Sequence, residues 1–146
     1  MGSSFIAYRV SGFWSRNYSI EMWMYLLAQE ATAQDDAPQW LLTVAKDWHE
    51  QATGNIMGSL SLDLDEYLTI PERVEVVLKL TQRTLTTLHN LGEMLSVDWL
   101  NSLGLGGPDV RFDRKLPTEV FSRVGETFIR LLRAEITWDA HTSPVL

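Results

Sequence analysis

Apolar residues recur at spacings of three and four along five stretches of this chain, the mark of amphipathic helices. The first runs from about Asn17 to Thr32, with Trp23, Leu26, Leu27 and Ala31 on one stripe and Met24 and Tyr25 beside it. Its centre is apolar almost all round, which predicts a helix covered on more than one side. Ser15 or Asn17 is placed to cap it, since either side chain can accept an orphan backbone N–H of the first turn. The second runs from about Ala37 to Thr53, carrying Trp40, Leu41, Val44, Ala45, Trp48 and Ala52 in step. Asp36 and Gln39 stand in capping-box spacing, Pro38 lies in the first turn and Gly54 follows the end.

The third stretch has the clearest punctuation. Thr69 and Glu72 form a T-x-x-E box with Pro71 in the first turn, and Gly92 sits where a left-handed C-terminal cap would. Val74, Val77, Leu78, Thr81, Leu85 and Leu88 make its apolar face. A short fourth helix is predicted from Ser96 to Leu103. The fifth starts near Pro117 or Thr118 and runs to about Ile136, with Val120, Phe121, Val124, Phe128, Leu131 and Leu132 on one face.

Two stretches have period two instead. Ile6, Tyr8 and Val10 alternate with Ala7 and Arg9. Leu60, Leu62 and Leu64 alternate with Ser59, Ser61, Asp63 and Asp65. They could pair as a small two-stranded β-ribbon, although their shortness favours extended coil for at least one of them. The fold expected is therefore all-α: one helical domain over residues 1–146, an irregular bundle of four main helices plus one short helix, with a β-ribbon near the N-terminus as an open variant. The nearly all-apolar first helix belongs at its centre. Two connections are long, Gly54 to Ile70 and the glycine-rich Gly104 to Leu116; loops of that length are functional or packed by their own side chains.

Most chemical signatures fail in turn. There is no cysteine, so disulfides, thiolate metal sites and thiol nucleophiles are excluded, and a reducing, cytoplasmic setting is the expectation. No basic stretch followed by an apolar run opens the chain, so no secretory signal is read, and Met1-Gly2-Ser3-Ser4 resembles an expression leader. The longest apolar run, Met22 to Ala28, is far short of the ~20 residues of a membrane span. His49, His89 and His141 are too far apart to share a helix face, and no Glu-x-x-His motif occurs. Asp63-x-Asp65 begins like a calcium loop, but Leu68 stands where its glycine is required and Val74 where its bidentate Glu is required. Gly104-Leu105-Gly106-Gly107 lacks the rest of a phosphate fingerprint, and Pro108 removes an N–H. No G-x-S-x-G elbow exists. Glu21, Glu30, Asp47 and Glu50 are available as paired carboxylates, but their spacing singles out none of them. No cofactor and no metal site is expected.

Charge changes the picture. The net charge is −7, which sets nucleic acid and anionic membrane aside as main partners. Glu75 before Lys79, Glu119 before Arg123 and Glu126 before Arg130 stand at the spacing of solvated helix pairs. Residues 1–70 hold three bases against nine acids, a net −6, whereas residues 71–146 hold nine bases against ten acids. From Asp47 to Glu72 there are six acids and no Lys or Arg, interleaved with Trp48, Ile56, Met57, Leu60, Leu62, Leu64, Tyr67 and Leu68. Acids around aromatic anchors compose a surface for a basic protein; the other reading is that these apolar residues pack the loop onto the helices while the acids face water, and a loop so pinned would present its carboxylates preorganised.

The function expected is a non-enzymatic acidic protein-binding module, most sharply an immunity-type protein that neutralises a basic partner. Asp47, Glu50, Asp63, Asp65 and Glu66 are its charged contacts, and Trp48 and Tyr67 its anchors. The alternative is a small-molecule-binding protein or enzyme whose aromatic-lined pocket touches Trp23, Trp48 or Trp99, with His49 or Glu30 as polar groups. A self-associating scaffold with a symmetric apolar face is a third reading.

Overall fold

The computed structural model describes residues 2–54 and 59–146. Its first element is a hairpin: β1 (Ser3–Tyr8) pairs antiparallel with β2 (Ser11–Arg16), Ile6 opposite Phe13 and Tyr8 opposite Ser11. Ser4, Ile6, Tyr8, Phe13 and Ser15 turn inward and are buried. On the other face Phe5 and Trp14 stack at 5.4 Å, the cross-strand contact that stabilises such a ribbon. Arg9 takes the left-handed turn position at φ 56.

Helix α1 (Asn17–Thr32) leaves the hairpin directly and is followed by α2 (Gln39–Thr53), the single turn α3 (Leu64–Tyr67) and the long α4 (Pro71–His89). A two-residue strand β3 (Met94–Leu95), the short α5 (Val97–Ser102), a second two-residue strand β4 (Leu116–Pro117) and α6 (Thr118–Leu132) complete the order. β3 and β4 pair antiparallel. The fold is thus helix-rich with small antiparallel ribbons rather than purely helical. α1 is central as its pattern requires: it packs on α2, α4, α6 and both strands of the hairpin. Ile20, Met22, Trp23, Met24, Leu26, Leu27, Ala28 and Ala31 are all buried along it. Each large side chain so buried contributes about 1.5–3 kcal/mol. Among the described residues no helix is long and apolar enough to cross a membrane.

Several caps differ from expectation. α1, α2 and α4 begin after Arg16, Pro38 and Ile70, and none has a side-chain cap. Asn17 does not cap because its Oδ1 accepts from Ser4 Oγ at 2.7 Å. Only α5 is capped, by Ser96 Oγ accepting from the Trp99 N–H. α6 ends at Leu132, four residues short of Ile136, yet Ile136 is still buried.

The N-terminal ribbon also differs in its partner. β1 pairs with β2, just beyond the Arg9-Val10 turn, not with the leucine-rich stretch 60–64. That stretch lies alongside β1, tied by the Leu60 N–H to Ser4 Oγ at 2.9 Å and the Arg9 N–H to Asp65 Oδ1 at 2.7 Å. The other edge of the hairpin is closed by residues 138–146. The Gly12 N–H donates to Trp138 O at 3.0 Å, the Leu146 N–H to Trp14 O at 2.9 Å, and the Arg16 N–H to Leu146 O at 3.2 Å.

Candidate functional site

Helix α2 carries Asp47, Glu50 and Gln51 beside its buried stripe. The segment after it folds back along this helix because its leucines are apolar and its serines and acids are not. Leu60, Leu62, Leu64 and Leu68 are all buried, while Ser59, Ser61, Asp65 and Glu66 are exposed. Period two therefore described which side chains enter the core, although the backbone is coil followed by one helical turn. Ile56 and Met57, expected in the same apolar set, lie outside the described residues.

Two side chains of α2 hold the segment in place. The Trp48 indole N–H donates to Leu62 O at 3.1 Å. Gln51 clamps Ser61 from both sides: its Nε2 donates to Ser61 O at 2.8 Å and its Oε1 accepts the Ser61 N–H at 3.1 Å. Trp48 is 1% exposed, so it does not face a partner as expected; it braces the segment from beneath. Gln51 escaped the sequence reading because a lone glutamine on a helix carries no motif.

The outcome for the acids is specific. Asp63 starts α3 in a left-handed conformation, φ 51, and accepts from Ser61 Oγ at 2.8 Å. Burial pushes the Asp47 carboxyl above its ordinary range, and the neighbouring carboxylates of Asp63 and Glu50 raise it further against a lowering hydrogen bond from Gln51. The Tyr67 phenol is raised first by burial and then by Asp47, Glu66 and Asp63. The Tyr67 phenol thus lies in the field of three carboxylates, and Asp47 in that of Glu50 as well. Asp65 is turned away from this group: one of its oxygens is held by the Arg9 backbone at the hairpin tip.

Among the described residues the ion pairs are Arg114–Asp113 at 3.4 Å and Arg123–Glu119 at 3.6 Å. None of the clustered acids is in one. Of the three helix pairs suggested by spacing, only Glu119–Arg123 closes, and Arg130 lies over the Trp138 ring instead. Arg73 borders the acidic face but is used otherwise, stacked 4.8 Å from the Trp40 ring and donating to Tyr67 O at 3.1 Å. Among the described residues no group of three or more His, Asp or Glu side chains is arranged to hold a metal.

No family model, curated protein or solved structure matches this chain.

The tryptophans named for a small-molecule pocket serve the core. Trp23 donates to Phe121 O at 2.6 Å, Trp48 to Leu62 O at 3.1 Å, and Trp99 packs half-buried against the core. One groove between α1 and α2, about 530 Å³, is lined by Tyr25, Lys46, His49 and Glu50, with the Tyr25 and His49 rings 5.5 Å apart.

A second cleft was not foreseen. It lies where the two long connections meet over the first turns of α1, and Glu21 lines it with Tyr18, Gly106, Arg111 and Phe112. Burial raises the Glu21 carboxyl to about 7. In the sequence Glu21 looked like any other surface acid, since the chain that buries it lies more than 80 residues away.

Proposed function

We propose that this chain is a non-enzymatic, acidic protein-binding module whose partner is a basic protein, in its sharpest form an immunity-type protein that neutralises a basic toxin. The observation that carries this reading is the set of acids Asp47, Glu50, Asp63 and Glu66 on α2 and the segment clamped to it, whose charges raise Asp47 and Tyr67, with none of the four in an ion pair among the described residues. The carboxylates of Asp63 and Glu50 make it costlier for Asp47 to carry its charge, and a basic partner would relieve that cost on docking. The Trp48 and Gln51 clamps favour the same reading, because a surface ordered before encounter loses less freedom when bound. Tyr67, half-buried with its phenol among the acids, suits an anchor. Trp48 is buried beneath the face and is not among its contacts, whereas Asp65 is exposed and keeps one oxygen on the Arg9 N–H.

Such a face acts mainly on encounter. It speeds association with a cationic surface by about tenfold or more at low salt, and the gain is lost as salt rises. The test is to identify the protein captured from native extract by the full chain, then to measure its association with wild type and with Asp47→Asn/Glu50→Gln/Asp63→Asn/Glu66→Gln. The reading expects a basic protein whose on-rate falls in the variant and no longer depends on salt. A partner that associates equally fast with both chains would end it.

A further inference from the structure

The cleft over Glu21 has the construction of a ligand site. One wall is α1, which contributes Asn17, Tyr18 and Glu21; the glycine-rich segment 105–112 faces it, and Gly2, Gly54 and Leu60 complete the described lining. That segment is fixed at several points. The Gly106 N–H donates to Ala52 O at 2.8 Å. Asn101 grips Phe112 through both backbone groups, at 3.0 and 2.7 Å. The Phe112 ring meets Tyr18 edge-on at 6.4 Å. Gly106 itself has φ +76, and a Cβ there would stand 2.9 Å from Val110 Cγ2 and 3.3 Å from Glu21 Oε2. Only glycine lets the backbone pass this closely over the carboxylate.

Glu21 is left without a partner in this setting. Among the described residues no hydrogen bond and no ion pair reaches its carboxylate, although Arg111 lines the same cleft. Arg111 is exposed, and no cation opposes the effect of burial on Glu21. The cleft measures about 210 Å³, below the ~300–1,000 Å³ of sites for drug-sized ligands, so it suits a small ligand. A carboxylate with aromatic rings beside it is the composition that holds an ammonium group, by ion pairing and by attraction to the ring faces.

We propose that this cleft binds a small primary amine, with Glu21 receiving the ammonium group and Tyr18 and Phe112 packing on its short alkyl chain. The site is distinct from the acidic face and does not depend on the function proposed for it. Among the described lining residues, Glu21 and Arg111 are the charged groups and Tyr18 the other titratable one. Alkylamines stay protonated well above neutrality, as lysine does. Binding that requires the Glu21 carboxylate therefore releases a proton near pH 7 and weakens below it.

The experiment titrates the full chain with n-butylamine by calorimetry, using n-butanol and butyrate as the neutral and anionic matches. Saturable binding of the amine alone, weakened about tenfold or more by Glu21→Gln, is expected. Absence of saturable binding to wild type, equal binding of butanol, or unchanged binding by a folded Glu21→Gln would overturn the proposal. Should that variant fail to fold, wild type decides: proton release and a falling affinity between about pH 8 and 6 are expected, and a constant affinity would overturn it.

Discussion

The indole of Trp23 on α1 lies against bare backbone of α6 at Gly125. A Cβ at residue 125 would overlap the six-membered ring of the indole. The Trp23 N–H reaches Phe121 O, one turn earlier on the same helix, at 2.6 Å. A missing side chain on one helix and the largest side chain on the other thus set how closely the two approach. In isolation Gly→Ala favours a helix by about 1 kcal/mol. Here overpacking dominates, and Gly125→Ala is expected to destabilise the chain by about 1–3 kcal/mol, measured by denaturant unfolding. A stabilised variant would mean that Trp23 does not sit there.

Tyr8 predicts the opposite sign. Its ring is buried, and its hydroxyl has no hydrogen-bond partner among the described residues. A buried, unmatched hydroxyl costs about 1–3 kcal/mol. Tyr8→Phe should therefore leave stability unchanged or raise it, read as a higher denaturation midpoint. A clear loss would show that the hydroxyl is satisfied in solution.

Glu21 sets a pH dependence. In the folded chain its carboxyl keeps its proton to about pH 7, whereas the ordinary value is 4.5. The folded state then binds more protons between these values, so stability from this group is full below about 4.5 and is lost as pH rises through 7. Glu21→Gln removes that loss. The variant should match wild type near pH 4 and exceed it at pH 8, by about 1 kcal/mol once solvent screening of a half-exposed group is allowed for. Thermal unfolding of both chains across this range decides it.

The acidic cluster can be checked without any partner. Asp47, Glu66 and Asp63 all raise the Tyr67 phenol, after burial. In Asp47→Asn/Asp63→Asn/Glu66→Gln the phenol should titrate closer to its ordinary value, followed by phenolate absorbance against a Tyr67→Phe control. An unmoved titration would mean that the three carboxylates do not surround it.

Helices with long, well-punctuated patterns were legible in the sequence: α4 begins at Pro71 and ends at His89 close to its expected span, and α1 occupies the centre. The caps were not, because a side-chain oxygen in capping position can be claimed by another element, as Ser4 claims Asn17. The second hairpin strand was hidden because its turn, Arg9-Val10, contains none of the residues that announce one, and Arg9 bears the left-handed conformation itself. The acidic face was readable as composition, since Asp47 to Glu72 lacks any base. Its inner division was not. That Asp65 turns to the hairpin and Trp48 to the core depends on where β1 lies, and no local pattern encodes that. Glu21 was least legible, for its environment is supplied by residues 105–112.

The closure of the hairpin's outer edge by residues 138–146 also has a consequence for how the chain is made. Ser15 donates to the Leu146 carbonyl across 131 positions, and the Trp14 N–H to Ser143 across 129. During translation β2 precedes this neighbour by that separation, on the order of ten seconds at ordinary elongation rates. Throughout that interval its backbone donors at Gly12, Trp14 and Arg16 are an open template for another chain. The nascent protein is thus open to misassembly at β2 until residues 138–146, made long after it, close that edge.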